Sequence, residues 1–227
     1  KEPGTGKKTE ETAGEKRRRI MEEKGKQMII SISREFGSGG KEIAEILGRR
    51  YQLPVLEKNI MQELGDPLQR DAEELYVASK EPRLFGKSRM FRGLTNNNEE
   101  VLAFMEFDFL REQAAAGKSF IVLGHCAEEV LKGFPNLVTF FISADADFKI
   151  DRIIAEHHVS RAEAEKIMKK NNIKRREYHN YYCAHSWGDS RYYEICLRSD
   201  ILGPQKTADY LSLYIDAKFD GTLIPAG

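Results

Sequence analysis

The feature that most constrains this chain is the stretch ISISREFGSGGKEIAEIL, residues 30–47. It opens with strand-like alternation, turns through Gly37, Ser38, Gly39 and Gly40, and closes with helix-like periodicity. A glycine turn between an apolar strand and an amphipathic helix is where a phosphate-binding loop belongs. Its backbone N–H groups and the positive end of the helix dipole both face an anion placed there. The standard pattern G-x-x-x-x-G-K-[ST] fits in two registers, and neither is complete. With Gly40-Lys41 as the glycine–lysine pair, the hydroxyl position is Glu42 and the first glycine is Glu35. With Gly39 as that glycine, the lysine position is Gly40 and the hydroxyl position is Lys41. The plain alternative is a tight strand-to-helix turn that holds no ligand.

Further along, short apolar runs alternate with helical periodicity. Strands are expected at 28–33, 53–56, 119–123, 137–143 and 193–197. Helices are expected at 39–51, 99–116, 126–132, 145–157, 161–182 and 205–219. Such alternation predicts an α/β fold with a parallel sheet and helices on both faces. Ligands in such folds bind beyond the carboxyl ends of the strands. The segments after Ser33, Leu56, Leu123 and Ser143 are therefore the ones to search.

The first 27 residues differ. They mix dense charges of both signs with almost no apolar residues, and they are expected to be a disordered tail or non-native leader. They carry no initiating methionine, so Met21 or Met28 is a candidate start. Pro3-Gly4-Thr5-Gly6-Lys7-Lys8-Thr9 imitates a phosphate loop, but no apolar strand precedes it and no apolar helix follows. Basic and acidic residues balance at 36 each, so attraction for an anion must be local. That balance, without a recognised motif, argues against nucleic acid as a partner. No apolar run approaches the ~18 residues of a membrane span, and no secretion signal is present. Cys126, Cys183 and Cys196 show no metal-ligand spacing, as expected for reduced cysteines in the cytoplasm.

The stretch from Ile32 through Met61, ISREFGSGGKEIAEILGRRYQLPVLEKNIM, resembles the opening of the cytidylate kinase-like proteins, a branch of the P-loop nucleoside monophosphate kinases. VLGHCAEEVL, TFFISADADFKIDRI and KKNNIKRREYHNYYCAHSWGDSRYYEICLRSDILG continue the likeness to about residue 215. The resemblance implies a P-loop NTPase-like three-layer α/β/α domain over 28–220. It would carry an acceptor-binding insertion at 57–97 and a helical lid at 158–185, with a short tail at 221–227. It implies phosphoryl transfer from ATP, with Mg2+, to a nucleoside monophosphate, CMP or dCMP. It also favours the second register: Gly37, Ser38 and Gly39 form the cradle, Gly40 takes the lysine's place, and Lys41 follows.

Positive charge must then come from elsewhere, because phosphoryl transfer rests on positioning and electrostatics. Arg34 leaves the strand at the loop mouth and is the favoured source. A surface arginine paired with Glu35 or Glu42 is the alternative. By the resemblance, Arg152 stands in the helix after the fourth strand, where the family usually carries an arginine, and the Arg175/Arg176 pair falls in the lid. Glu57, Lys58, Arg89, Arg92 and His125 are the acceptor-side candidates, with Arg83 and Lys87 in the same basic loop. The family usually has arginine where His125 stands, and more often arginine than Lys149. An acidic residue is often found where Asn171 and Asn172 stand. Asp189, in a Trp-Gly-Asp turn, is expected to cap that turn. His157, His158, His179 and His185 show no catalytic partner and are read as surface or core residues. No metal ligand is assigned, and a monomer is expected. Against the kinase reading stands a second one, a nucleotide-binding sensor or interaction module with weakened catalysis.

Overall fold

The computed structural model describes residues 27–57 and 98–220. Strand β1 (Ile29–Arg34) is central, and its six residues are buried except the last. It pairs in parallel with β3 (Phe120–Leu123) on one side and β4 (Leu137–Ser143) on the other. β2 (Val55–Leu56) adds outside β3, and β5 (Ile195–Arg198) adds outside β4. The order is β2-β3-β1-β4-β5, with every pairing parallel. The carboxyl ends of β1 and β3 are therefore neighbours.

The alternation of β1 divides its side chains between two layers. Ile30 and Ile32 pack with Ile43, Ile46 and Leu47 of α1 (Gly40–Tyr51) and with Leu211 and Ile215 of α6 (Gly203–Asp220). On the other face Ile29 packs with Phe107 and Leu110 of α2 (Asn98–Ala115) and Val130 of α3 (Ala127–Val130). Each such apolar side chain taken fully out of water contributes about 1.5–3 kcal/mol before the entropy of ordering is subtracted. Ser31 and Ser33 also lie buried, so the interior on their side of the sheet is partly polar. The result is a three-layer α/β/α arrangement.

A third small core joins α4 (Ala146–His157) to α5 (Arg161–Tyr182). Ile150, Ile153, Ala164 and Met168 meet there, with Phe36 of the glycine loop packed against them. Asp145 caps α4 by accepting from the Asp147 N–H. Ser160 caps α5 by accepting from the Glu163 N–H, in a Ser-x-x-Glu start.

The expected elements are present with small shifts at their ends. β2 is shorter than expected because the Leu53 N–H closes α1 onto the Gly48 carbonyl at 2.9 Å. α6 begins earlier, with Pro204 in its first turn, where a helix has no use for the missing N–H. The tail, the imitation loop at 3–9, the rest of the insertion including Arg83 and Lys87, and residues 221–227 lie outside the described residues. Among those described, no helix is long and apolar enough to cross a membrane.

Candidate functional site

The glycine loop links β1 to α1. Gly37 and Gly39 take positive φ, at 82° and 76°, and Gly39 is the N-cap of α1. Their neighbours alone exclude a side chain. A Cβ at Gly37 would lie 2.8 Å from the Lys149 carbonyl oxygen, and one at Gly39 would lie 2.9 Å from Cγ of Pro204. Ser38 is turned inward. Its hydroxyl donates to the Glu35 carbonyl at 2.9 Å, its N–H points to the same oxygen at 3.3 Å, and its carbonyl accepts from the Ser199 hydroxyl. Ser38 thus shapes the loop, and what the loop offers a ligand is backbone. The N–H groups opening α1 have no intrahelical carbonyl to bind.

Gly40 answers to Arg34. A Cβ there would lie 2.6 Å from the Arg34 Cβ. The Arg34 guanidinium extends over Gly124, at the end of β3, where a Cβ would come within 2.5 Å of Nη1. Its side chain is 12% exposed. Its partner is Glu57, at the end of β2, rather than Glu35 or Glu42: Nη2 lies 3.3 Å from Glu57 Oε1. Lys41 reaches the other oxygen of the same carboxylate at 2.8 Å.

Arg175 completes the cluster from α5. It donates to the Arg34 carbonyl at 3.0 Å and lies over the Phe36 ring. Burial holds the Arg34 guanidinium below its usual range, and Glu57 pulls it partway back. Arg175 is brought down to about 10, first by burial and then by the charge of Arg34. Arg34 and Lys41 therefore share one carboxylate beside the loop, with a second guanidinium, that of Arg175, held against the Arg34 backbone. An anion with several oxygens would relieve the excess.

The other basic residues are spent differently. Glu35 holds Lys149 at 2.7 Å, and Glu42 holds Arg152 at 2.8 Å. Arg152 thus faces the loop from α4, whereas Arg176 is exposed on α5. His125, in left-handed backbone at φ 54°, is wedged between α2 and β2. Its Nδ1 lies 2.9 Å from Glu106 Oε2, and its Nε2 meets the Glu57 carbonyl. It is therefore built into the site wall and is not a plain helix-start residue. Asn172 accepts from the Phe36 N–H at 2.7 Å, fastening α5 to the loop. Asp189 accepts from the Arg191 N–H and pairs with the Arg191 side chain, capping its turn as expected. Lys58, Arg89 and Arg92 lie outside the described residues.

Sequence reasoning missed Glu106, Glu128 and the role of Asn172. Glu106 and Glu128 lie in ordinary helical patterns, and only the fold brings them to their histidines. A shallow hollow of about 450 Å³, lined by Glu45, Arg49 and Gln52 among others, lies at the far end of α1 from the loop. It gathers no comparable cluster of charge.

The model of the cytidylate kinase-like family matches residues 29–201. A crystal structure of an uncharacterized protein from Eubacterium ventriosum is 32% identical, covering 84% of this chain and 99% of that one, with a TM-score of 0.67. Shikimate kinase from Bacteroides thetaiotaomicron is 12% identical, covering 83% of this chain and 98% of that one, with a TM-score of 0.47. A sugar kinase from Janibacter is 16% identical, covering 84% of this chain and 95% of that one, with a TM-score of 0.46. No curated protein matches the sequence.

Proposed function

The chain belongs to the cytidylate kinase-like family, and from that premise we propose that it transfers a phosphoryl group from ATP to a small nucleotide acceptor, CMP or dCMP first among them. The observation that carries this reading is the pairing of Arg34 and Lys41 with one carboxylate, Glu57, and of Arg175 with the Arg34 carbonyl, beside a strand–glycine–helix turn at the carboxyl ends of β1 and β3. The donor phosphates would lie along the loop and the α1 N-terminus. Arg34 and Arg175 would take the oxygens of the moving phosphoryl group, where a lysine in the loop would otherwise supply charge. Arg152, released from Glu42, would reach the donor phosphates from α4. Glu57 and His125 would line the acceptor side, joined by Lys58, Arg89 and Arg92.

Mg2+ would enter with ATP. Glu35, Glu42 and Glu57, the carboxylates nearest the loop, already face basic side chains. The position that carries a cation-binding hydroxyl in ordinary loops is Lys41. We therefore assign the ion to the nucleotide's own phosphates and water, as Mg2+ commonly keeps several waters, and name no protein ligand.

Turnover of ATP, coupled to ADP detection and run with a panel of nucleoside monophosphates, tests the proposal. Phosphorylation of at least one acceptor is expected. Binding of Mg-ATP with no turnover on any acceptor would reject it. That result would favour the second reading, a nucleotide-binding module, for which Gly40 at the lysine's place and His125 in place of arginine already speak.

A further inference from the structure

A second cluster lies on the α3 side of the sheet and takes no part in the phosphate site. Glu128 of α3, His179 of α5 and His185 of the following segment each bring one ligand atom within 4.8 Å of the others. All three are buried. His179 Nε2 is 2.7 Å from Glu128 Oε1. His185 is 3% exposed at its side chain, yet among the described residues neither ring nitrogen has a hydrogen-bond partner. Its nearest carboxylate oxygen, Glu129 Oε2, is 3.7 Å from Nδ1. Leaving a polar group buried and unpaired costs about 1–3 kcal/mol, so this ring needs an explanation that a hydrogen bond does not provide.

The surroundings hold Glu128 and His179 in place. Ser31 and Ser33 point their hydroxyls at Glu128 Oε2, at 3.5 and 3.4 Å. Tyr193 donates to Oε1 at 3.2 Å. His179 Nδ1 lies 3.4 Å from Asn180 Oδ1, which also accepts from the Trp187 N–H at 2.8 Å. A proton on Nδ1 leaves Nε2 as a ligand, the arrangement by which supporting bonds orient metal-binding histidines. His185 is fixed by stacking on Tyr192, with ring centroids 4.0 Å apart.

We propose that Glu128, His179 and His185 bind one divalent transition-metal ion, Zn2+ by preference. Two imidazole nitrogens and one carboxylate oxygen form a zinc-type donor set with a fourth position left open. The ion replaces the proton between His179 and Glu128 and gives the His185 ring its missing partner. It ties the segment after β3, the last turn of α5 and the chain leading to β5 into one unit. This inference rests on its own observations and stands apart from the phosphoryl-transfer reading.

The test uses the full chain, stripped with chelator and then titrated with ZnCl2 and, separately, CoCl2. One equivalent of Zn2+ is expected to bind and raise Tm, and Co2+ to give the visible bands of a low-symmetry four-coordinate site. His185→Phe keeps the ring stack and removes the ligand. It should weaken Zn2+ binding by more than about 100-fold, beyond the 10–100-fold effect of losing a supporting bond. Equal binding by the two proteins, or none by the native chain, would overturn the proposal. X-ray absorption on the Zn2+-loaded native chain decides the matter even if the variant does not fold. Two imidazoles with oxygen support it, and fewer than two imidazoles overturns it.

Discussion

Arg175 donates to the backbone carbonyl of Arg34 at 3.0 Å, so α5 holds the end of the central strand by its main chain. This brings a second guanidinium within reach of the Arg34 charge, beside the Arg34–Glu57 pair. Under the proposed phosphoryl transfer, this one side chain would both fasten α5 to the strand end and bring charge to the donor phosphates.

Arg175→Ala should therefore lower kcat/KM by about 100-fold or more, the scale for losing one preorganised donor to transition-state charge. Arg175→Lys keeps the charge but not the planar fork, and activity should fall between the two. Coupled turnover measures both. Equal activity in all three proteins would remove Arg175 from the site.

Glu57→Gln should leave Arg34 without its carboxylate and destabilise the unliganded protein by about 1–3 kcal/mol, reduced from a fully buried pair because the site is partly open. Inorganic phosphate should raise the variant's Tm more than that of the native chain, since it supplies the charge Glu57 withdrew. Thermal melts with and without phosphate read both effects.

Gly40→Ala forces a methyl group to within 2.6 Å of the Arg34 Cβ. A stability loss of about 1–3 kcal/mol is expected, together with weaker Mg-ATP binding as Arg34 is pushed aside. Urea melts and calorimetric titration check the two parts separately.

His125→Arg gives an arginine the two acceptors that His125 now uses, Glu106 and the Glu57 carbonyl. If the ring stands on the acceptor side, the KM for the monophosphate should drop by about 3–10-fold through a charge-assisted contact. An unchanged KM would place His125 outside that side of the site.

The strand–glycine–helix unit was readable because its signals are local: alternation, glycines and a 3.6-residue period lie within one short stretch. β4 and α5 fall at the expected residues for the same reason. The partnerships were not readable, because they join residues far apart in the chain. Arg34 finds Glu57 rather than either nearby glutamate, since both of those face lysine or arginine from α4. Asn172 looked like a lost carboxylate, yet its amide oxygen accepts the Phe36 N–H as a carboxylate would. His179 and His185 looked solitary because Glu128 lies on another helix, and only the folded sheet brings them together.

The contact between Gly40 and Arg34 also limits what the loop can hold. In this chain a side chain at position 40 and the stem of Arg34 compete for the same space. Gly40→Lys alone would drive its Cβ into the stem of Arg34, and removing Arg34 alone would leave the site short of charge. In this chain a loop lysine could therefore be seated only together with a change at Arg34.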